Sequence, residues 1–200
     1  MGGDLFGLAA LIAKPQTAMT IFRHTRSGPL VNHREMAFDP VSRQWQLPCP
    51  PVAVISTGNP NQAQMTLAEA IGRLLAQHGL TVICGGKSGV MEAACRGVAA
   101  VPGGLSISLL PDEDPEVANS FVTVPIATGI GVARDAQIAR AACCLVAVGG
   151  GYGTLSEIAF ALQFGRPALC VGQALDVQGA IDRASTDDVL LGVASAALRL

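Results

Sequence analysis

Charged side chains are scarce in this 200-residue chain: Asp, Glu, Lys and Arg together make up 14% of it, and aromatic residues only 4%. The net charge is -2 and no basic cluster stands out. Without a cationic face there is no electrostatic footprint for a nucleic acid, so any nucleotide bound should be a small one. Lysine is rarer still, with Lys14 and Lys87 alone. A pyridoxal phosphate enzyme needs a Schiff-base lysine; only Lys87 qualifies, and its loop offers no acidic partner for a pyridinium. The histidines, His24, His33 and His78, are not spaced as metal ligands, and the six cysteines include no C-x-x-C pair, so no metal site is expected. No uncharged apolar run approaches the roughly 20 residues of a membrane span. The apolar start Leu5–Ala13 follows Asp4 and lacks a basic flank, which reads as a short helix and not an export signal. The expectation is a cytoplasmic chain with free, buried thiols.

What the chain has in quantity is apolar surface and glycine. Half of its residues are apolar, 23 are glycine, and the mean hydropathy is +0.44. That composition fits a parallel sheet covered on both faces, whose strands read as continuous Val/Ile/Leu runs. It also leaves apolar helix surface for self-association, so a homodimer or homotetramer is expected, with Ile158, Phe160, Leu162 and Phe164 as the candidate contact face.

Residues 1–50 differ from the rest. Short, polar-interrupted strand candidates at 20–24, 30–33 and 45–47 alternate with the turn signals Ser27-Gly28-Pro29 and Asp39-Pro40, the pattern of an antiparallel appendage. Pro48, Pro50 and Pro51 form a stiff connector to a second unit, 51–200. There the pattern predicts strands at 52–57, 80–84, 104–110, 121–126, 144–148 and 167–171. Helices are predicted at 61–77, 88–100, 131–142 and 154–164, with further helix toward the C-terminus. Repeated β-α units imply right-handed crossovers and a Rossmann-like α/β fold, a parallel sheet with helices on both faces.

Three glycine-bearing loops leave strand ends, where ligands sit in such sheets: Thr57-Gly58-Asn59-Pro60, Gly85-Gly86-Lys87-Ser88-Gly89, and Gly149-Gly150-Gly151-Tyr152-Gly153-Thr154. The last lies between the apolar run Cys144–Val148 and an apolar helix. Backbone amides and the positive end of a new helix favour an anion such as phosphate there. Gly58, Gly85, Gly86, Lys87, Gly89, Gly150, Gly151, Gly153 and Thr154 are therefore the candidate phosphate-binding residues. The loops fail two known tests. Ser156 stands where the third glycine of G-x-G-x-x-G belongs, and Thr81 stands where a Walker A loop needs its first glycine, which disfavours NAD and ATP-driven chemistry. Thr154 and Glu157 also satisfy the S/T-x-x-E capping box, a structural role that does not exclude a ligand-facing carboxylate.

Taken together, Gly85-Gly86-Lys87-Ser88-Gly89-Val90-Met91-Glu92-Ala93-Ala94, Ala133-Arg134-Asp135 and Gly149-Gly150-Gly151-Tyr152-Gly153-Thr154-x-x-Glu157 resemble the LOG-like superfamily. Its members have carried a lysine decarboxylase label and include nucleotide phosphoribohydrolases and molybdenum cofactor carrier proteins. The resemblance spans roughly residues 52–172. Phosphoribohydrolases show Pro-Gly-Gly-x-Gly-Thr-x-x-Glu and an arginine followed by Asn or Lys; here Gly149 replaces the proline and Asp135 follows Arg134. The triple glycine, Asp112-Glu113-Asp114-Pro115 and Pro125-Ile126-Ala127-Thr128-Gly129 look more like the carrier branch.

The resemblance implies a phosphorylated nucleotide-type ligand, and two functions follow. One is hydrolysis of the N-glycosidic bond of a nucleoside 5'-monophosphate, with Glu157 stabilising an oxocarbenium-like transition state and Arg134 orienting the substrate. The other is non-catalytic carriage of the molybdenum cofactor as a bound ligand. Neither requires a further cofactor, and lysine decarboxylation is not expected.

Overall fold

The computed structural model describes residues 37–39, 44–46, 50–56, 59–172, 177–183 and 185–198. The chain divides into two units, Met1–Cys49 and Pro50–Leu200. In the first, β1 (Ala37–Asp39) and β2 (Gln44–Gln46) pair antiparallel, with Phe38 opposite Trp45. The expected strands at 20–24 and 30–33 lie outside the described residues.

The second unit alternates strand and helix: β3 (Val52–Ser56), α1 (Gln62–Gln77), β4 (Val82–Cys84), α2 (Val90–Ala99), β5 (Ser106–Leu110), β6 (Val124–Ala127), α3 (Arg134–Ala141), β7 (Cys144–Val148), α4 (Tyr152–Gln163), β8 (Ala168–Val171), β9 (Ile181–Asp182) and α5 (Thr186–Leu198). The strands form one parallel sheet in the order β6-β5-β4-β3-β7-β8-β9. From β3 the chain walks outward to β6, then returns to lay β7 on the other side of β3. The switch point, where crossovers diverge and a crevice opens at the carboxyl ends, therefore falls between β3 and β7.

The apolar runs become strands because both of their faces are covered. All five residues of β7 are buried, and side chains such as Leu145 each contribute roughly 1.5–3 kcal/mol by leaving water. One apolar cluster joins β3, β4 and β7 to α1, α2 and α5. A second joins the same sheet to α3 and α4 on the opposite face. The helices α1 and α2 pack closely through reciprocal glycines: a Cβ on Gly72 would lie 2.1 Å from the Ala94 carbonyl oxygen, and one on Gly97 2.0 Å from that of Glu69. Glu69 also pairs with Arg96 across the helices at 2.9 Å and with Arg73 at 3.0 Å. The Arg96 hydrogen bond, opposed by partial desolvation, holds its carboxyl below the usual range.

Two departures from expectation have simple causes. The parallel strand β9 replaces part of the expected C-terminal helix; it is two residues long, so no periodicity marks it, and it exists by pairing with Leu169 and Cys170 of β8. The edge strand β6 is largely exposed, with Val124 at 40% and Ile126 at 42%, whereas Ile158 of α4 is fully buried and Phe160, Leu162 and Phe164 pack on the core. Among the described residues, no helix is long and apolar enough to cross a membrane.

Candidate functional site

The apolar run of β7 ends at Gly149, whose φ of 71° only glycine adopts without strain. A Cβ there would meet Gln64 Nε2 at 2.5 Å. Gln64 is held on three sides. Its Oε1 accepts from Asn61 N–H at 3.0 Å while Asn61 Oδ1 accepts from Gln64 N–H at 2.9 Å, a capping box that starts α1. Its Nε2 donates to the Gly172 carbonyl at 3.0 Å. The side chain thus ties the loops after β3, β7 and β8 together. Gly149 N–H donates to the Val171 carbonyl at 3.0 Å; a proline here would lose that bond, require negative φ and strike Gln64. The Pro-Gly-Gly form of the loop does not fit this backbone.

Beyond it the helix α4 begins two residues earlier than expected, at Tyr152 with Gly151 as N-cap, and no side chain caps it. This corrects the capping-box reading of Thr154-Leu155-Ser156-Glu157. Thr154 is the third helical residue, so its side chain is past the cap position, and its buried Oγ1 makes no hydrogen bond. The first N–H groups of a helix have no intrahelical partners. Here they emerge beside Gly153, around which a Cβ would meet nothing within 4 Å, and Tyr152, which is 94% exposed.

One turn further, Glu157 is buried at 6% exposure and lies 3.9 Å from Arg134 Nη1. Arg134 opens α3, and its guanidinium covers Gly85, where a Cβ would sit 2.1 Å from Nη1. Arg134 therefore stands against the first glycine loop and within reach of the helix that leaves the second. Its Nε is also 3.2 Å from Asp135 Oδ1. Burial is the main cause that pushes the Glu157 carboxyl up to about 8, with the Asp135 charge adding to it and Arg134 opposing it; Cys84 adds a smaller upward push. Burial also raises Asp135, against the pull of Arg134. The shift favours the protonated form of Glu157 at neutral pH.

The loop after β4 makes more contacts, although α2, which leaves it, also starts without a side-chain cap. Gly86 has φ 71° and is wedged against Ser108 and Leu110. Asn119 donates to the carbonyls of Gly86 and Lys87, Lys87 pairs with Asp112, and Gly89, the N-cap of α2, abuts Pro60. Behind it, the Cys84 thiol meets Cys95 Sγ at 3.6 Å and Ser108 Oγ at 3.3 Å and receives the Gly86 N–H at 3.4 Å. The Cys95 contact, then Ser108, Gly86 and Arg134, lower it against the burial penalty. The five described cysteines are free and buried.

Of the candidate site residues, the structure brings Gly85, Arg134, Thr154 and Glu157 to the end of β4 and the start of α4. Gly150, Gly151 and Gly153 form the open loop, Lys87 is held in its ion pair, and Gly58 lies outside the described residues. Three residues join the site without having been expected there: Gln64, Asn119 and Asp135. The Asn61-x-x-Gln64 box is a readable signal for the first, and Asp135 stands out in the sequence as the residue that follows Arg134 where Asn or Lys is usual; Asn119 carries none. Arg140, six residues after Arg134, stacks over Phe164 at 4.1 Å and belongs to the α3–α4 packing. Among the described residues no cluster of His, Cys, Asp and Glu is arranged to hold a metal ion.

A parallel sheet switching at β3 and β7, with glycine loops at the carboxyl ends of β4 and β7, defines a LOG-like Rossmann protein. The chain belongs to the SLOG cluster4 family, whose profile matches residues 50–196. It is similar to the molybdenum cofactor binding protein from the phototrophic bacterium Rippkaea orientalis, with a TM-score of 0.69 and 27% identity over 75% of this chain and 98% of that one. Its similarity to the Moco carrier protein from Chlamydomonas reinhardtii is of the same order, with a TM-score of 0.68 and 31% identity over 76% and 100%. An uncharacterized protein of Archaeoglobus fulgidus is 38% identical over 128 residues, 64% of this chain and 83% of that protein.

Proposed function

We propose that this protein holds a phosphorylated ligand of the molybdenum cofactor type without turning it over, the phosphate seated on the backbone N–H groups of residues 150–154. The observation that carries this reading is the uncapped start of α4 beside the buried, unpartnered Thr154 Oγ1. A helix N-terminus attracts an anion, and Arg134 adds a permanent positive charge nearby. Similarity to proteins described as binding or carrying the molybdenum cofactor supports the ligand class. A Glu157 carboxyl pushed up to about 8 is a weak stabiliser of a developing oxocarbenium charge at neutral pH, although a protonated acid can donate to a leaving base.

The second reading, hydrolysis of a nucleoside 5'-monophosphate to base and ribose 5-phosphate, is favoured by the approach of Arg134 to Glu157. It requires the ionised carboxylate, so its rate would climb through pH 8. Incubation with AMP across pH 6–9, alongside native mass spectrometry of co-purified ligand, separates the two. A carrier releases no adenine at any pH and retains a phosphorylated ligand; release that rises through pH 8 and disappears in Glu157→Gln establishes the hydrolase. Self-association forms part of the proposal, with exposed Val117, Val124, Ile126, Ile130 and Val132 as its apolar surface. Molar mass by light scattering checks it.

A further inference from the structure

At the start of α3, the buried Asp135 and the half-buried Arg134 hold buried polar atoms without the hydrogen bonds that burial demands. Asp135 Oδ1 and Arg134 Nε and Nη1 all lack a hydrogen-bond partner, although Nε and Oδ1 are 3.2 Å apart. Adjacent residues on a helix do not face one another, so the proximity yields charge attraction without a bond aimed along an N–H. Buried polar atoms left in this state mark places where another group completes the set.

A helix-stabilising role does not account for Asp135. An acid in the first turn of a helix interacts favourably with the dipole and can accept from a free N–H, but Oδ1 accepts nothing, and Asp135 is only 8% exposed, where solvation no longer offsets the charge. Its presence also works against Glu157, whose ionisation it opposes. What the pair does offer is an acceptor beside a donor: the unpartnered atoms are themselves buried, while 11% and 12% of the two side chains as a whole remain open. That is the complement of a neutral group carrying a donor hydrogen next to an acceptor. A phosphate dianion has no such hydrogen and is repelled by the carboxylate.

We propose that Asp135 is a specificity-determining residue, its carboxylate accepting a hydrogen bond from an O–H or N–H of the ligand while Arg134 donates to the neighbouring acceptor. The proposal rests on phosphate binding at the start of α4. Asp135 then selects ligands in which the phosphate is attached to a polyhydroxylated or N–H-bearing body over phosphate alone.

The test is calorimetric titration of wild type, Asp135→Ala and Asp135→Asn with inorganic phosphate, ribose 5-phosphate and AMP. Wild type should bind ribose 5-phosphate or AMP at least tenfold more tightly than phosphate. The alanine variant should reduce that preference by about tenfold while binding phosphate as tightly or more tightly, since a negative charge has left the site, and its melting temperature should not fall. Asparagine, which keeps an acceptor oxygen, should retain part of the preference, and it decides the matter if the alanine variant does not fold. A preference already full with ribose 5-phosphate assigns the donor to a hydroxyl; one that appears only with AMP assigns it to the base. Equal weakening of all three ligands, or an intact preference in both variants, overturns the role of Asp135 alone. A wild type that binds no phosphate overturns the reading of the α4 loop, and this one with it.

Discussion

The loop after β4 and the loop after β7 are both glycine-rich and both leave the carboxyl ends of parallel strands, yet they are used in opposite ways. In the first, Gly85 lies under Arg134, Gly86 is wedged against Leu110 and Ser108, two carbonyls are taken by Asn119 and Lys87 by Asp112. In the second, Gly149 is fitted to Gln64; Gly151 caps a helix that, like α2, has no side-chain cap, and Gly153 faces open space. Glycine serves close packing in the first loop, and in the second Gly153 leaves open space beside the start of α4. On the proposed reading, the first loop is framework that places Arg134, and the second holds the ligand.

The sharpest way to break this comparison is to add one methyl group to each loop. Gly86→Ala puts a side chain at positive φ and 2.6 Å from Leu110 Cδ2, and should destabilise the fold by about 3 kcal/mol or more through strain and overpacking. Gly153→Ala should hold or raise the melting temperature, since alanine is the better helix former by about 1 kcal/mol, while weakening phosphate binding by crowding the amides. Thermal melts and phosphate titrations of the two variants check both halves. Equal loss of stability in both would erase the distinction.

The next effect concerns the carboxylate behind the second loop. Because the folded-state pKa of Glu157 lies above its unfolded value, the native state binds the extra proton between about pH 4.5 and 8. The destabilisation from ionising it is absent below that window and grows as pH rises through it. Glu157→Gln should therefore match wild type near pH 4.5 and be more stable at pH 8 and above by on the order of 2–4 kcal/mol, since a group gains or loses about 1.4 kcal/mol for each tenfold change in its proton affinity on folding. Denaturant unfolding at the two pH values checks the sign. A variant less stable at pH 8 would restore a capping or pairing role for the carboxylate.

Arg134 joins the two loops, so Arg134→Ala should lower phosphate affinity by about tenfold or more, the scale of one charge-assisted hydrogen bond. Titration with inorganic phosphate reads it directly. The smallest effect is expected at Lys87, whose pair with Asp112 is half-exposed. Lys87→Met should cost less than about 1 kcal/mol and change phosphate affinity less than Arg134→Ala does, and a larger affinity loss would move Lys87 from framework to ligand contact.

Much of the fold is legible in the sequence because its signals are local. The runs Val52–Ser56 and Cys144–Val148 read as buried strands from composition alone, and glycine marks both loops. The antiparallel hairpin is foreshadowed by Trp45-Gln46, which lies in β2. What stays hidden depends on partners distant in sequence. The strand β9 has no apolar run of its own, and α4 starts two residues before its expected place because Thr154 and Glu157 imitate a capping box whose cap position Gly151 in fact occupies. The true box, Asn61 with Gln64, follows a similar spacing at the start of α1, and only the fold shows that its glutamine also reaches Gly172.

By itself, the sequence determined the central buried strands, the glycine loops that follow them and that an arginine and a glutamate accompany those loops, because hydrophobic periodicity and turn chemistry act over a few residues. Only the tertiary structure decided that Gly86 is wedged while Gly153 faces open space, and that Arg134, Asp135 and Glu157 share one cluster in which burial raises the glutamate's proton affinity. Those outcomes depend on desolvation and on charges brought together from different helices, and neither is encoded in any single stretch of chain.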